Sequence, residues 1–292
     1  AGRTFGGDTG NLIAILPGTR KGSVLFCSHM DRVKNGHGIK VREKDGVLYS
    51  GGDTILAADD VSGICAILDG VRRTLSSGNP HPRIEIAFTV GEEAGLFGGK
   101  ALDLSVFQSS CCFVLDSPCL LGRLVNGAPG HVRFAIHVKG KPAHAGANPQ
   151  NGRNALLAAA QASLALHTIS RHSDGPSRIN VGILKAGTGR NVIPDNAVIK
   201  FETRGGSTAI NEFMEGEARR MIKAAADMYG VTVKMVARGS AASGNSSPDM
   251  GEEVYEVVKG LGVYSDIEKN HTVSGSEDCS YFMSRVQDHG GK

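Results

Sequence analysis

Seven ionisable side chains close four apolar runs in the first 116 positions. They are His29 and Asp31 in SVLFCSHMD, Asp59 and Asp60 in LAADDVSG, Glu92 and Glu93 in TVGEEAG, and Asp116 in VLDS. Six carboxylates facing one cleft would repel one another by several kcal/mol unless something positive neutralised them. No lysine or arginine run stands beside them, so divalent metal is the natural counter-charge, and two ions sharing a bridging carboxylate balance the set. Nitrogen and oxygen ligation without thiolate suits zinc, with cobalt or manganese as substitutes. In His-x-Asp the two side chains share one face of a strand, so Asp31 can accept from the second imidazole nitrogen of His29 and fix its tautomer. The neighbouring side chains of Glu92 and Glu93 diverge. One can bind metal while the other takes a proton from water and delivers it to a leaving nitrogen. Taken singly each signal is ordinary; Asp59 and Asp60 alone would be a helix N-cap and its neighbour.

The elements that must position these groups alternate. NLIAILPG, SVLFCSHMD, RIEIAFTV and SCCFVLDS read as strands, and VSGICAILDGVRRTL has helical spacing. Between them lies a polar loop with Gly36, Gly38 and Gly46. The acid or histidine sits each time at the C-terminal end of a strand, the edge where open α/β sheets bind ligands. The pattern changes after Pro118. HVRFAIHVKG, NGRNALLAAAQASLALHTI, RINVGILKAG, NAVIKFETRG, TAINEFMEGEARRMIKAAADMYG and VTVKMVAR give the order β-α-β-β-α-β, a ferredoxin-like unit. The expected organisation is a catalytic α/β domain over 1–117 and 239–292, with a mixed, largely parallel sheet and helices on both faces. A lid or dimerisation domain over 118–238 is inserted in it. GSAASGNSSPD marks the return crossing, and helices over MGEEVYEVVKGLG and SEDCSYFMSRVQ follow.

Composition narrows the class. Among 292 residues, 40% are apolar and 21% charged, and no apolar run approaches the roughly 20 residues of a membrane span. The net charge of +3 is small and dispersed, which excludes a nucleic-acid or lipid surface as the main partner. Six cysteines without a CxxC pair read as buried thiols in a reducing cytoplasm, and no signal peptide is visible. The absence of a G-x-x-x-x-G-K-[ST] loop argues against a phosphate-binding α/β protein.

SHMDRV, GGDTILAADDVSG, TVGEEAGLFGG, VLDSP, KGKPAHAGANPQNGRNA, GRNVIPDNAVIKFETRGG and VSGSEDCSYF follow one another over nearly the whole chain. In this order they resemble the dinuclear-zinc exopeptidases that include peptidase T, carboxypeptidase G and acetylornithine deacetylase. GDTILAADDVSG is most similar to the peptidase T-like branch. The resemblance implies that His29, Asp60 and Asp116 hold one zinc and that Asp60 bridges to a second zinc held by Glu93. It makes Glu92 the general base and Asp31 the residue that orients His29. It makes His144 the histidine that crosses a dimer interface to the oxyanion, and Asn191 and Arg204 the pair that grips a substrate carboxylate or carbonyl.

The implied activity is that of a metallo-exopeptidase, an aminopeptidase on short peptides, working by metal-bridged hydroxide. The alternatives are a deacylase of N-acyl amino acids and a non-catalytic homologue that only binds ligand. A homodimer through the inserted domain is expected. Two departures stand out. Arg32 occupies the place of a threonine in the family's HMDT. Family members also carry a further histidine some tens of residues after the segment matching 275–278, and neither His271 nor His289 sits in that context. The expectation is a portion of a longer protein, shortened at both ends, whose Glu93-side metal is weakly held when the chain stands alone.

Overall fold

The computed structural model describes residues 6–273 and 278–292. In chain order the first elements are β1 (Leu12–Leu16), β2 (Ser23–His29), β3 (Val41–Lys44), β4 (Val47–Ser50), α1 (Ala58–Ser77), β5 (Arg83–Thr89), α2 (Phe97–Ala101), β6 (Cys112–Val114) and β7 (Arg123–Ala128). Next come β8 (Gly130–Lys139), α3 (Ala155–Leu166), β9 (Ser177–Ala186), β10 (Asn196–Gly205), α4 (Thr208–Tyr229) and β11 (Thr232–Ala241). The chain closes with β12 (Gly244–Asn245), α5 (Pro248–Leu261), β13 (Glu268–Thr272) and α6 (Cys279–Asp288). No helix among the described residues is long and apolar enough to cross a membrane.

Two compact units result, one of Ala1–Ala128 with Gly244–Lys292, the other Pro129–Ser243. These limits differ from the expected 118–238. Strand β7 pairs with β12 and β13 and so stays with the first unit, while β11 runs on to Ala241 beside β8.

The first unit is mixed α/β. Its main sheet has the order β1-β5-β2-β6, with β2 parallel to β5 and β6 and with β1 antiparallel at one edge. The near-continuous apolar run of β2 is what a strand covered on both faces requires. One face carries Ile84, Ile86 and Phe88 with Ile67 of α1; the other carries Leu25, Cys27 and Ala87 with Phe107 and with Phe282 of α6. The polar loop expected around Gly46 is instead a hairpin of β3 and β4. Asp45 and Gly46 take φ of 52° and 76°, the left-handed pair that a two-residue Asp-Gly turn needs.

Within β5 a carboxylate lies in the core. Glu85 is 0% exposed. Its oxygens accept from Arg83 Nε at 2.7 Å, the Gln108 and Ser109 amides at 3.0 and 3.1 Å, and the Ser109 hydroxyl at 2.5 Å. Four donors replace the water it lost.

The second unit has the strand order β11-β8-β10-β9, all antiparallel, with two helices whose side chains join one core cluster. That is the ferredoxin-like arrangement. Phe134, Ile136, Val138, Ile199 and Phe201 meet Ala155, Ala158, Ala159 and Ala162 of α3 and Ala218, Ala225 and Ala226 of α4. Small alanine faces let both helices close on the sheet. Asn154 caps α3 by accepting from the Leu157 amide, Ser207 caps α4 by accepting from the Ile210 amide, and Gly230 ends α4 at φ 62°.

Candidate metal centre

The site begins where β2 and β5 end side by side, His29 opposite Thr89. His29 is 2% exposed, and its Nε2 lies 2.8 Å from Asp59 Oδ1 and 3.5 Å from Asp116 Oδ2. Ligand atoms of His29, Asp59 and Glu93 all fall within 4.8 Å of one another. His29 thus stands close to Asp59 and Glu93 and, separately, to Asp116.

Asp60 does not join them, which corrects the expectation that it is the shared ligand. Its Oδ1 accepts from the Gly63 amide at 3.2 Å, and its Oδ2 accepts from the Ser28 hydroxyl and, at 3.4 Å, the His29 amide. This carboxylate, turned inward and 2% exposed, caps the regular turns of α1 that follow the non-helical Asp59 and Asp60. Asp59 stands outside the helical turn, with φ −84° and ψ 109°, and presents its side chain to His29. Gly63 makes the cap possible. A Cβ there would come within 2.5 Å of both Asp60 Oδ1 and the Leu115 carbonyl.

Asp31 faces the second imidazole nitrogen and has a further task. The Nδ1 of His29 lies 2.9 Å from the Asp31 carbonyl, its closer partner, and 3.6 Å from the carboxylate. The carboxylate also accepts from two consecutive amides, Glu92 at 3.0 Å and Glu93 at 3.2 Å. One residue thus sets the imidazole through its main chain and the Glu92-Glu93 turn through its side chain.

The electrostatics fit a cation. Burial alone would lower the His29 pKa, but hydrogen bonding to Asp31 and the charges of Asp116, Asp31 and Glu92 outweigh it and raise the value to about 10. Burial, then the charges of Asp278, Asp116 and Glu93, push the Glu92 carboxyl up to about 8. Burial and the charge of Asp59 raise Glu93 as well. A donor set of one imidazole nitrogen and several carboxylate oxygens, with no thiolate, suits zinc or manganese. The residues present fit such an ion.

Asp278 is a site neighbour that was not assigned from sequence. Of the segment 275–278 only this residue lies among those described; 275–277 lie outside them. Asp278 is buried, its carboxyl pushed up to about 6 by desolvation against a hydrogen bond from Thr89. Its Cβ closes on Gly99, where a side chain would come within 2.9 Å.

The remaining three expected residues belong to the second unit. The main chain of His144 bridges to Val192, and the Ala145 amide donates to the Asn191 carbonyl at 2.9 Å, so His144 and Asn191 are neighbours. His144 Nδ1 accepts from the Gly146 and Ala147 amides at 3.2 and 3.1 Å. That leaves the proton on Nε2, an exposed donor. Arg204 is elsewhere. Asn191 lies before β10 begins at Asn196, whereas Arg204 is next to its last residue, roughly 26 Å further along at strand rise. Its Nε donates to Glu202 Oε1 at 2.9 Å. Within a single unit Asn191 and Arg204 therefore stand well apart.

A strand-end histidine-carboxylate cluster in an α/β unit, with a separate ferredoxin-like unit inserted, defines the class of metallopeptidases with a dimerisation domain. A family model described as the peptidase dimerisation domain of M20 matches residues 126–229, and one for peptidase family M28 matches residues 11–110. The chain is 40% identical over 220 residues to one component of the p-aminobenzoyl-glutamate hydrolase of Escherichia coli, covering 73% of this chain and 50% of that one. It is 46% identical over 160 residues to the indole-3-acetyl-aspartic acid hydrolase of Enterobacter agglomerans, covering 54% of this chain and 37% of that one. The crystal structure of aminopeptidase PepT from Bacillus cereus superposes with a TM-score of 0.84 at 30% identity, over 99% of this chain and 76% of that one. The chain belongs to the M20 peptidase family. It spans about half the length of the first of these relatives and 37% of the second.

Proposed function

We propose that the chain carries the metal-binding and catalytic part of a metal-dependent amide hydrolase that releases an amino acid from an N-acyl amino acid. The observation that carries this reading is the cluster of His29, Asp59 and Glu93 within 4.8 Å, beside the carboxyl of Glu92, which burial pushes up. His29, Asp59, Glu93 and Asp116 would hold two divalent ions, zinc by preference, with Asp59 shared. Bound there, such ions supply the Lewis-acid charge that polarises an amide carbonyl and eases deprotonation of water.

The protein's own groups do the rest. Glu92 takes a proton from the attacking water and passes it to the leaving nitrogen. Asp31 holds the turn that aims Glu92. His144 donates from Nε2 to the developing oxyanion, across the interface of a homodimer built through the second unit. The match to a dimerisation domain supports that assembly. Asn191 from one copy and Arg204 from the other meet the substrate's carbonyl and carboxylate.

Two substrate classes share this chemistry. Identities of 40% and 46% to hydrolases named for p-aminobenzoyl-glutamate and indole-3-acetyl-aspartate favour acyl conjugates of acidic amino acids. The likeness to an aminopeptidase supports a second reading, short peptides cut from the N-terminal end. Incubating the zinc-loaded protein with N-acyl glutamates and aspartates, and separately with di- and tripeptides, tests both. Release of glutamate or aspartate from the conjugates is expected. Cleavage of peptides alone selects the second reading, and cleavage of neither class overturns the proposal.

A further inference from the structure

The segment that carries Glu92 and Glu93, 90–98, is a loop that leaves β5 and runs into the first two residues of α2. It is tied at three levels. Its inner turn is closed by the Gly95 and Leu96 amides donating to the Glu92 carbonyl at 3.0 and 2.9 Å, and by the Phe97 amide donating to Gly91 at 2.9 Å. Its middle is held by the Asp31 carboxylate on the Glu92 and Glu93 amides. Its two ends are joined by one side chain from a distant part of the sequence. The Val90 amide donates to Asn11 Oδ1 at 3.2 Å, and Asn11 Nδ2 donates to the Gly98 carbonyl at 2.9 Å.

From this geometry we infer that Asn11 is a positioning residue, whose carboxamide pins both ends of the loop and so fixes where Glu92 and Glu93 point. A carboxamide suits this task because it offers one acceptor and one donor on a short planar group. No other uncharged side chain of its length satisfies an amide and a carbonyl at once. The fit around it is close. A Cβ on Gly98 would come within 2.7 Å of Asn11 Oδ1, 2.4 Å of the Val90 carbonyl and 2.6 Å of its nitrogen. Only glycine lets the loop ends approach near enough for one side chain to span them. Asn11 itself is placed by β1, whose Leu12 pairs with Phe88 of β5, so the clamp is built on paired strands. The contribution of Asn11 is orientation, transmitted through main chain; it touches neither carboxylate.

This inference rests on the reading that Glu93 binds metal. Zinc affinity, measured by competition with a chromophoric chelator on the whole chain, tests it on Asn11→Ala and Asn11→Asp. The second variant keeps an acceptor for Val90 but loses the donor to Gly98. Asn126→Ala serves as a control for simple loss of an amide bond, since Asn126 Nδ2 donates to Asn270 Oδ1 at 2.6 Å in the same unit. Asn11→Ala should weaken zinc binding by about tenfold. It should also speed amide hydrogen exchange at Glu92 and Glu93, while Asn126→Ala changes neither. If Asn11→Ala fails to fold, Asn11→Asp gives the same two readouts. Wild-type affinity and exchange in the Asn11 variants overturn the inference, provided Glu93→Ala loses zinc. If Glu93→Ala also binds zinc normally, the metal reading itself falls.

Discussion

Replacing Glu92 by glutamine should lower kcat by about 10²- to 10⁴-fold while leaving bound zinc unchanged. The substitution keeps the size and one oxygen of the side chain but removes its ability to carry a proton. Glu92 lies beside the proposed ligands, and burial, then the charges of Asp278, Asp116 and Glu93, push its carboxyl up. A carboxylate in that position can accept a proton from water and return it to the leaving nitrogen within one turnover. Steady-state kinetics at saturating substrate, with zinc counted by atomic absorption, separates the outcomes. A protein that only binds its ligand would not respond to the change. A variant that loses zinc together with turnover would place Glu92 among the ligands instead.

Glu85→Ala should cost about 3–5 kcal/mol of stability. The loss comes from the partners, since removing the carboxylate strands the Arg83 guanidinium and the amides of Gln108 and Ser109 around an apolar void. In a unit of this size that corresponds to a melting temperature lower by roughly 10 °C. Glu85→Gln should lie between the two, because one acceptor oxygen survives and an NH2 group is forced against N–H donors. Thermal unfolding followed by circular dichroism measures both. A melting temperature within a degree or two of wild type for Glu85→Ala would show that the buried charge is not a fastening point.

Much of this was legible from residue order. The recurrence of acids and histidine at strand ends located His29, Glu93 and Asp116 on one sheet edge, because period and strand direction are local properties of sequence. The β-α-β-β-α-β order was legible for the same reason. The choice between Asp59 and Asp60 was not. It depends on which of two adjacent carboxylates the first turn of α1 takes as its cap, and that is settled by Ser28 and Gly63, one of them on another element. The role of Asp31 was half visible. Its spacing from His29 shows in sequence, but its bonds to Glu92 and Glu93 bridge some sixty positions. Asn11 gave no signal, being a lone asparagine before a strand. The separation of Asn191 from Arg204 follows from strand rise, since eight of the thirteen steps between them run along β10.

The shared ligand decides the metal reading, and zinc titration of Asp59→Asn beside Asp60→Asn examines it with least ambiguity. Asp59→Asn is expected to bind zinc at least tenfold more weakly with an unchanged melting temperature. Asp60→Asn is expected to melt earlier, through its damaged helix cap, and to keep its affinity. Zinc lost with Asp60→Asn and retained with Asp59→Asn would mean that the carboxylate facing His29 is a bystander and that the centre described above is wrongly drawn.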